Sequence, residues 1–133
     1  IEAVTGDSNM TKWYFDKVQS KLKEIEWLIK SERIDYDFLS NEMGIVRGEI
    51  VFIDGSTLEF REMVSMGVSD YRFQYMGKNN ELLRRWDTAP HHKEIRTFPY
   101  HLHTPKGVEE SEKVDFGYVI KIITDIVIKK LIS

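Results

Sequence analysis

No cysteine occurs among the 133 residues, which excludes disulfide frameworks, thiolate zinc sites and cysteine nucleophiles. Any metal held by this chain would have to take imidazole and carboxylate ligands. Long apolar runs are missing as well. The longest, residues 119–128, is broken by Lys121, Thr124 and Asp125 and cannot span a bilayer as a helix. The N-terminus lacks the basic start and apolar middle of a signal peptide, so the chain is read as cytoplasmic with no membrane partner. Proline and histidine are scarce, with three and four residues, and both are confined to one stretch. His91, His92, His101 and His103 fall within thirteen consecutive positions, with Pro90, Pro99 and Pro105 between and around them.

The chain is long enough for one core and too short for two ordinary ones, so residues 10–133 are read as a single α+β domain. Residues 1–9 show no periodicity and precede Met10; they are read as an added remnant or a disordered tail. Hydrophobic residues make up 41% and charged residues 31%, enough core-formers to exclude wholesale disorder. The net charge of −3 argues against a nucleic-acid partner, but the sign is unevenly spread. Residues 71–107 hold seven basic residues against three acidic ones, a balance of +4, while the rest of the chain carries −7. An uneven chain can present a phosphate-attracting face on an acidic body. Arg72, Arg84, Lys93, Arg96 and Lys106 are the candidate nucleic-acid contacts; solvated decoration of strand faces is the competing reading.

Thr11 is a plausible N-cap, and Tyr14, Val18, Leu22, Ile25 and Ile29 follow at spacings of four, four, three and four, which predicts an amphipathic helix. Ile34, Tyr36 and Phe38 alternate with Asp35 and Asp37, which suits either a short strand or an extended connector. Asp54-Gly55 lies between two β-rich runs and predicts a hairpin of residues 44–53 and 57–64. Tyr71, Phe73 and Tyr75, a Gly77-to-Asn80 turn and the return from Leu82 to Trp86 predict a second hairpin. A last helix is predicted from near Ser111, with Glu109, Glu110 and Glu112 at its start and Lys129 and Lys130 at its end complementing the dipole. The expected fold is α+β, an antiparallel β-meander of about four strands packed with an N-terminal and a C-terminal helix. Residues 88–110 are expected to form a long loop containing every histidine and proline.

If the loop is extended near Phe98–His103, His101 and His103 point to one side and the apolar residues to the other. His91 and His92 project oppositely, so at most one easily joins them. Three readings compete. One is a metal-dependent hydrolase, with a His-x-His pair, a further histidine and a carboxylate from Asp87 or Glu62. Another is metal-free acid-base cleavage of RNA, with one imidazole as base, a second as acid and Arg85 near the phosphate. The last is a partner- or nucleic-acid-binding protein without catalysis. Arg84 and Arg85 lie on opposite faces of one strand, so one of them can reach the site. Glu62 falls on an apolar strand face and needs a partner, either an arginine as scaffold or an imidazole to orient. Asp87 suits an Asx-turn or the fixing of a histidine tautomer. Trp86, Tyr71, Phe73 and Tyr75 suit a core better than base stacking.

The segments DGSTLEFREMV, YRFQYMGKNNELLRRWDTAPHH and TFPYHLHTPKGV, about half of the chain, resemble the TumE-like toxins of prokaryotic toxin-antitoxin pairs. The matching pattern is a DGS hairpin, Arg85-x-Asp87 before Ala89-Pro90-His91-His92, and Thr97-Phe98-Pro99-x-His101-x-His103. The resemblance implies a growth-inhibiting protein partnered by a small antitoxin with a DNA-binding helix-turn-helix. It supplies no mechanism; the ribonuclease reading, with RNA as substrate and no cofactor, comes from the histidines. The candidate catalytic set is His91, His92, His101, His103, Arg85, Asp87 and Glu62, and a homodimer is left open.

Overall fold

The computed structural model describes residues 9–66 and 70–133. Helix α1 (Met10–Glu24) and a single 3-10 turn (Glu26–Leu28) precede strands β1 (Ile29–Ser40), β2 (Met43–Phe52), β3 (Thr57–Ser65), β4 (Asp70–Met76), β5 (Leu82–Asp87), β6 (His101–Thr104) and β7 (Gly107–Glu110). Helix α2 (Phe116–Ile132) ends the chain. All seven strands pair antiparallel in sequence order, forming one up-and-down sheet. The α+β architecture is the expected one, but the described residues form seven strands, not about four.

The extra strands have identifiable causes. Segment 34–38 belongs to the long edge strand β1, whose Lys30, Glu32, Arg33, Asp35 and Asp37 protect the open edge with charge. The stretch expected as one loop, 88–110, closes into a further tight hairpin at Thr104-Pro105-Lys106-Gly107. Gly107 takes φ +127° there, and the Thr104 hydroxyl oxygen accepts the Lys106 amide at 3.1 Å. Only residues 88–100 remain an irregular connection.

Both helix boundaries also differ from the sequence reading. Asn9, not Thr11, caps α1, its Oδ1 accepting the Lys12 amide at 2.8 Å. Thr11 lies inside the helix, buried, and donates its hydroxyl to the Ser40 carbonyl at 2.7 Å, tying α1 to the end of β1. The helix stops at Glu24 because Ile29 is drawn into the sheet, where it pairs with Phe52. Glu109 and Glu110 belong to β7, so α2 begins later, at Phe116. Its cap is Asp115, which accepts the Tyr118 amide at 2.9 Å, while Lys129 and Lys130 occupy the last turn as expected.

Both helices pack on one face of the sheet. Phe15, Val18 and Leu22 of α1 and Phe116, Val119, Ile123 and Val127 of α2 are buried with Val46, Ile50, Leu58, Phe60, Phe73, Tyr75 and Trp86. The Phe60 ring lies 5.0 Å from Phe116 and 5.8 Å from Phe73, joining α2 to the sheet centre. Among the described residues, no helix covers the opposite sheet face.

Candidate active site on the open face of the sheet

The period of two along a strand decides which side chains reach that open face. On β4, Tyr71, Phe73 and Tyr75 are buried toward the helices, which sends Arg72 and Gln74 outward. Trp86 on β5 pairs with Phe73 and faces inward, so its neighbours Arg85 and Asp87 face outward. The β5–β6 register then sets Arg85 opposite His103 and Asp87 opposite His101. Arg72 stands opposite Asp87 on the other side. Five candidate residues thus share one face because three short strands are in register.

The connection 88–100 brings in the remaining histidines. His92 adopts φ +59°, a left-handed conformation uncommon for a residue with a side chain. Its ring centroid lies 5.5 Å from that of His101 and 5.6 Å from that of His103, which are themselves 4.8 Å apart. His91 is exposed, with its ring 6.5 Å from His92. Of the adjacent pair, then, one joins the cluster and the other stays at its rim. A cavity of about 380 Å³ is lined by all four histidines together with Arg72, Arg85 and Asp87. A groove of about 460 Å³ between α1 and α2 contains no imidazole.

Asp87 is the hub. Its Oδ1 accepts the Ala89 amide at 3.1 Å, closing an Asx-turn, and stands 2.6 Å from His101 Nε2. Its Oδ2 accepts from Arg85 Nε at 3.2 Å and lies 3.6 Å from His103 Nε2. The Asx-turn weighed for this residue is formed, and Asp87 also stands beside His101, whose tautomer is set at Nδ1 instead. His101 is buried, and its Nδ1 lies 2.9 Å from the Pro99 carbonyl oxygen, which can only accept, so Nδ1 carries the hydrogen and Nε2 faces Asp87. The Phe98–Pro99 bond immediately before is cis. His103 is half-buried, and its affinity for a proton is lowered, by burial first and by the Arg85 charge second, against the opposing pull of Asp87. Its neutral form is therefore favoured near neutral pH.

The cations separate by position. Arg72 lines the cavity and donates to Gln74 Oε1 at 2.6 Å; Arg85 reaches the same oxygen at 3.5 Å. Gln74 thus spaces two guanidiniums, a role the sequence reading missed although its alternation with Phe73 and Tyr75 places it on their opposite face. Arg84 does not join the site: it faces inward with Trp86, its guanidinium carbon 5.9 Å from that ring. Arg96 donates to Glu110 at 3.0 Å and Glu112 at 3.4 Å, so its charge is already matched. Lys93 and Lys106 are exposed, one beside His92 and the other in the β6–β7 turn.

Glu62 stands apart from the imidazoles for the same geometric reason. It pairs with Tyr71 and shares the helix-facing side with Phe60 and Val64, the side opposite the histidines. Its partner is neither arginine nor imidazole but Tyr14, whose hydroxyl donates to Glu62 Oε1 at 2.7 Å and accepts the Phe116 amide at 3.2 Å. The Glu62 pKa is pushed up to about 8, chiefly by burial. It joins α1, β3 and α2 and has no contact with the histidine cluster. Tyr71, Phe73, Tyr75 and Trp86 are likewise buried core, unavailable for stacking on bases.

The fold and site together define a small α+β protein whose seven-stranded antiparallel sheet carries helices on one face and a histidine, aspartate and arginine cluster on the other. The family model described as Toxin TumE matches residues 18–131, a span that includes every strand and the whole cluster. The chain belongs to the TumE toxin family. Neither comparison with curated proteins nor comparison with solved structures gave a match. Among the described residues, no helix is long and apolar enough to cross a membrane.

Proposed function

We propose that this protein is the toxin of a toxin-antitoxin pair and that it cleaves RNA by histidine acid-base chemistry without a metal in the reaction. The observation that carries this reading is His103, disposed to be neutral, facing Arg85 with two further imidazole rings within 5.6 Å. RNA cleavage by internal attack needs a base for the 2′-hydroxyl, an acid for the departing 5′-oxygen and a cation for the charged phosphorane. In this reading His103 Nε2 is the base, His92 at the half-exposed mouth is the acid, and Arg85 contacts the phosphate. Asp87 holds Arg85 in place, Pro99 holds His101, and Arg72 extends the anion-attracting surface along the sheet. His91 lines the cavity, and the exposed Lys93 and Lys106 are the further cations for neighbouring nucleotides. The partner is a small antitoxin, of helix-turn-helix type, that masks the open face in the cytoplasm until it is lost.

The test is incubation of the purified chain with end-labelled RNA, with and without chelator, beside His103→Gln. Cleavage that resists chelator and disappears in the variant is the expected result. Cleavage abolished by chelator would replace this reading with a metal-dependent hydrolase. Retained RNA binding without cleavage would replace it with a binding protein.

A further inference from the structure

Asp87, His101 and His103 each place a donor atom within 4.8 Å of the other two. The contact at their centre is electrostatically incomplete. His101 commits its Nδ1–H to Pro99, so in the neutral ring Nε2 presents a lone pair toward a carboxylate. That nitrogen is buried and makes no well-formed hydrogen bond, although Asp87 Oδ1 is only 2.6 Å away. Two electron-rich atoms at that separation call for positive charge beside both. A proton on Nε2 would serve that pair alone, whereas a cation on the Nε2 lone pair can take a carboxylate oxygen and a further ligand as well. Imidazole ligands are commonly held in this manner, with the far nitrogen donating to a backbone carbonyl and the near one turned to the metal. His103 Nε2, 3.6 Å from Asp87 Oδ2, adds a third donor.

We propose that Asp87, His101 and His103 bind a zinc-class divalent cation, and that its binding silences the nuclease. Two imidazoles and one carboxylate select borderline transition ions such as Zn²⁺ over Mg²⁺ or Ca²⁺, and three protein ligands leave a fourth position for water or His92. The silencing follows from the ligand set: a cation on His103 Nε2 occupies the lone pair that would accept the 2′-hydroxyl proton. Arg85 opposes occupancy, since it holds Asp87 Oδ2 at 3.2 Å and must share or release it. That opposition keeps the site weaker than a structural zinc centre and therefore reversible. The silencing role rests on the ribonuclease reading; the site itself does not.

The test uses the full chain, stripped with chelator and dialysed. Zn²⁺ is titrated calorimetrically, Co²⁺ serves as an optical probe of coordination, and RNA cleavage is followed in parallel. Asp87→Asn and His103→Gln are compared, with circular dichroism and melting curves confirming that each folds. One ion per chain is expected, with affinity lower by about tenfold or more in each variant. Wild-type cleavage should fall as zinc binds and return on chelation. Failure to bind, or binding that neither variant weakens, overturns the site. Binding that raises cleavage overturns the silencing role and the metal-free mechanism together. Binding by a chain that cleaves no RNA under any condition keeps the site and overturns the nuclease reading alone.

Discussion

Arg85 and His103 are direct partners across the β5–β6 ladder, on the sheet face that the helices leave open. A guanidinium fixed opposite an imidazole does two things at once: it attracts phosphate, and it makes a second positive charge on the histidine costly. The His103 pKa lies below its ordinary 6.5 for this reason, after burial. The base form of His103 is therefore lost on acidification only below pH 6.5, so the acid limb of kcat/KM for RNA cleavage is expected there. Arg85→Gln removes one cause of the lowering and also frees Asp87, whose charge pulls the other way. Its acid limb should move to higher pH, beyond any loss of rate. A pH–rate profile of both proteins checks this; a limb that stays in place would show that Arg85 does not tune His103.

Neighbouring arginines offer a sharper test of the face assignment. Arg85→Ala should lower single-turnover cleavage by about 10²–10³, the usual cost of removing a group that stabilises developing charge. Arg84→Ala should leave cleavage within a few fold, since its guanidinium lies beside Trp86 on the other face. Its cost should appear in the melting temperature, through lost packing. Equal losses of cleavage in the two variants would contradict the observed parity of β5.

Asp87→Asn isolates the hub. Asparagine keeps an oxygen for the Ala89 amide, so the turn into the connection should persist. It loses the charge that holds Arg85 and faces His101, and a fall of about 10- to 100-fold in kcat is expected, as for other groups that orient imidazoles. The uncompensated buried polar contacts should cost about 1–3 kcal/mol in stability. Denaturation and steady-state kinetics on the same preparation separate the two effects. A loss confined to KM would mean that Asp87 serves binding, not positioning.

Much of this arrangement was legible where the signals are local. Asp54-Gly55 and the alternation of Tyr71, Phe73 and Tyr75 identify two hairpins correctly, and the same alternation places Arg84 and Arg85 on opposite faces. The Thr104-Pro105-Lys106-Gly107 turn carries an equally clear signal, but the runs on either side, four residues each, are too short to show an alternation of their own. Convergence of the imidazoles was not legible. It depends on the β5–β6 register and on the positive φ of His92, neither of which leaves a periodic trace. The role of Glu62 was half legible: its burial follows from the strand pattern, whereas Tyr14 is 48 residues away and sits on the same helix stripe as ordinary core residues.

That buried carboxyl sets the last expectation. Glu62 titrates at an ordinary 4.5 when exposed and at about 8 in the fold, chiefly because burial disfavours its charge. The folded chain thus holds the proton more tightly than the unfolded chain. Stability from this residue is complete below pH 4.5, declines as pH rises, and the loss is complete above about pH 8. The decline can reach ~1.4 kcal/mol per pH unit within that window. Glu62→Gln removes the titration while its side-chain oxygen can still accept from Tyr14. Near pH 5 the variant should match or slightly trail the wild type, because the amide adds donors that need partners. Toward pH 8 it should become the more stable of the two, with a gain of a few kcal/mol at most, ~2–4. Denaturant unfolding of both proteins across the window measures the difference directly, and contributions from His103 cancel in the comparison. A difference that does not grow with pH would mean that Glu62 is already ionised in the fold, stabilised by a positive charge in addition to the neutral Tyr14 hydroxyl.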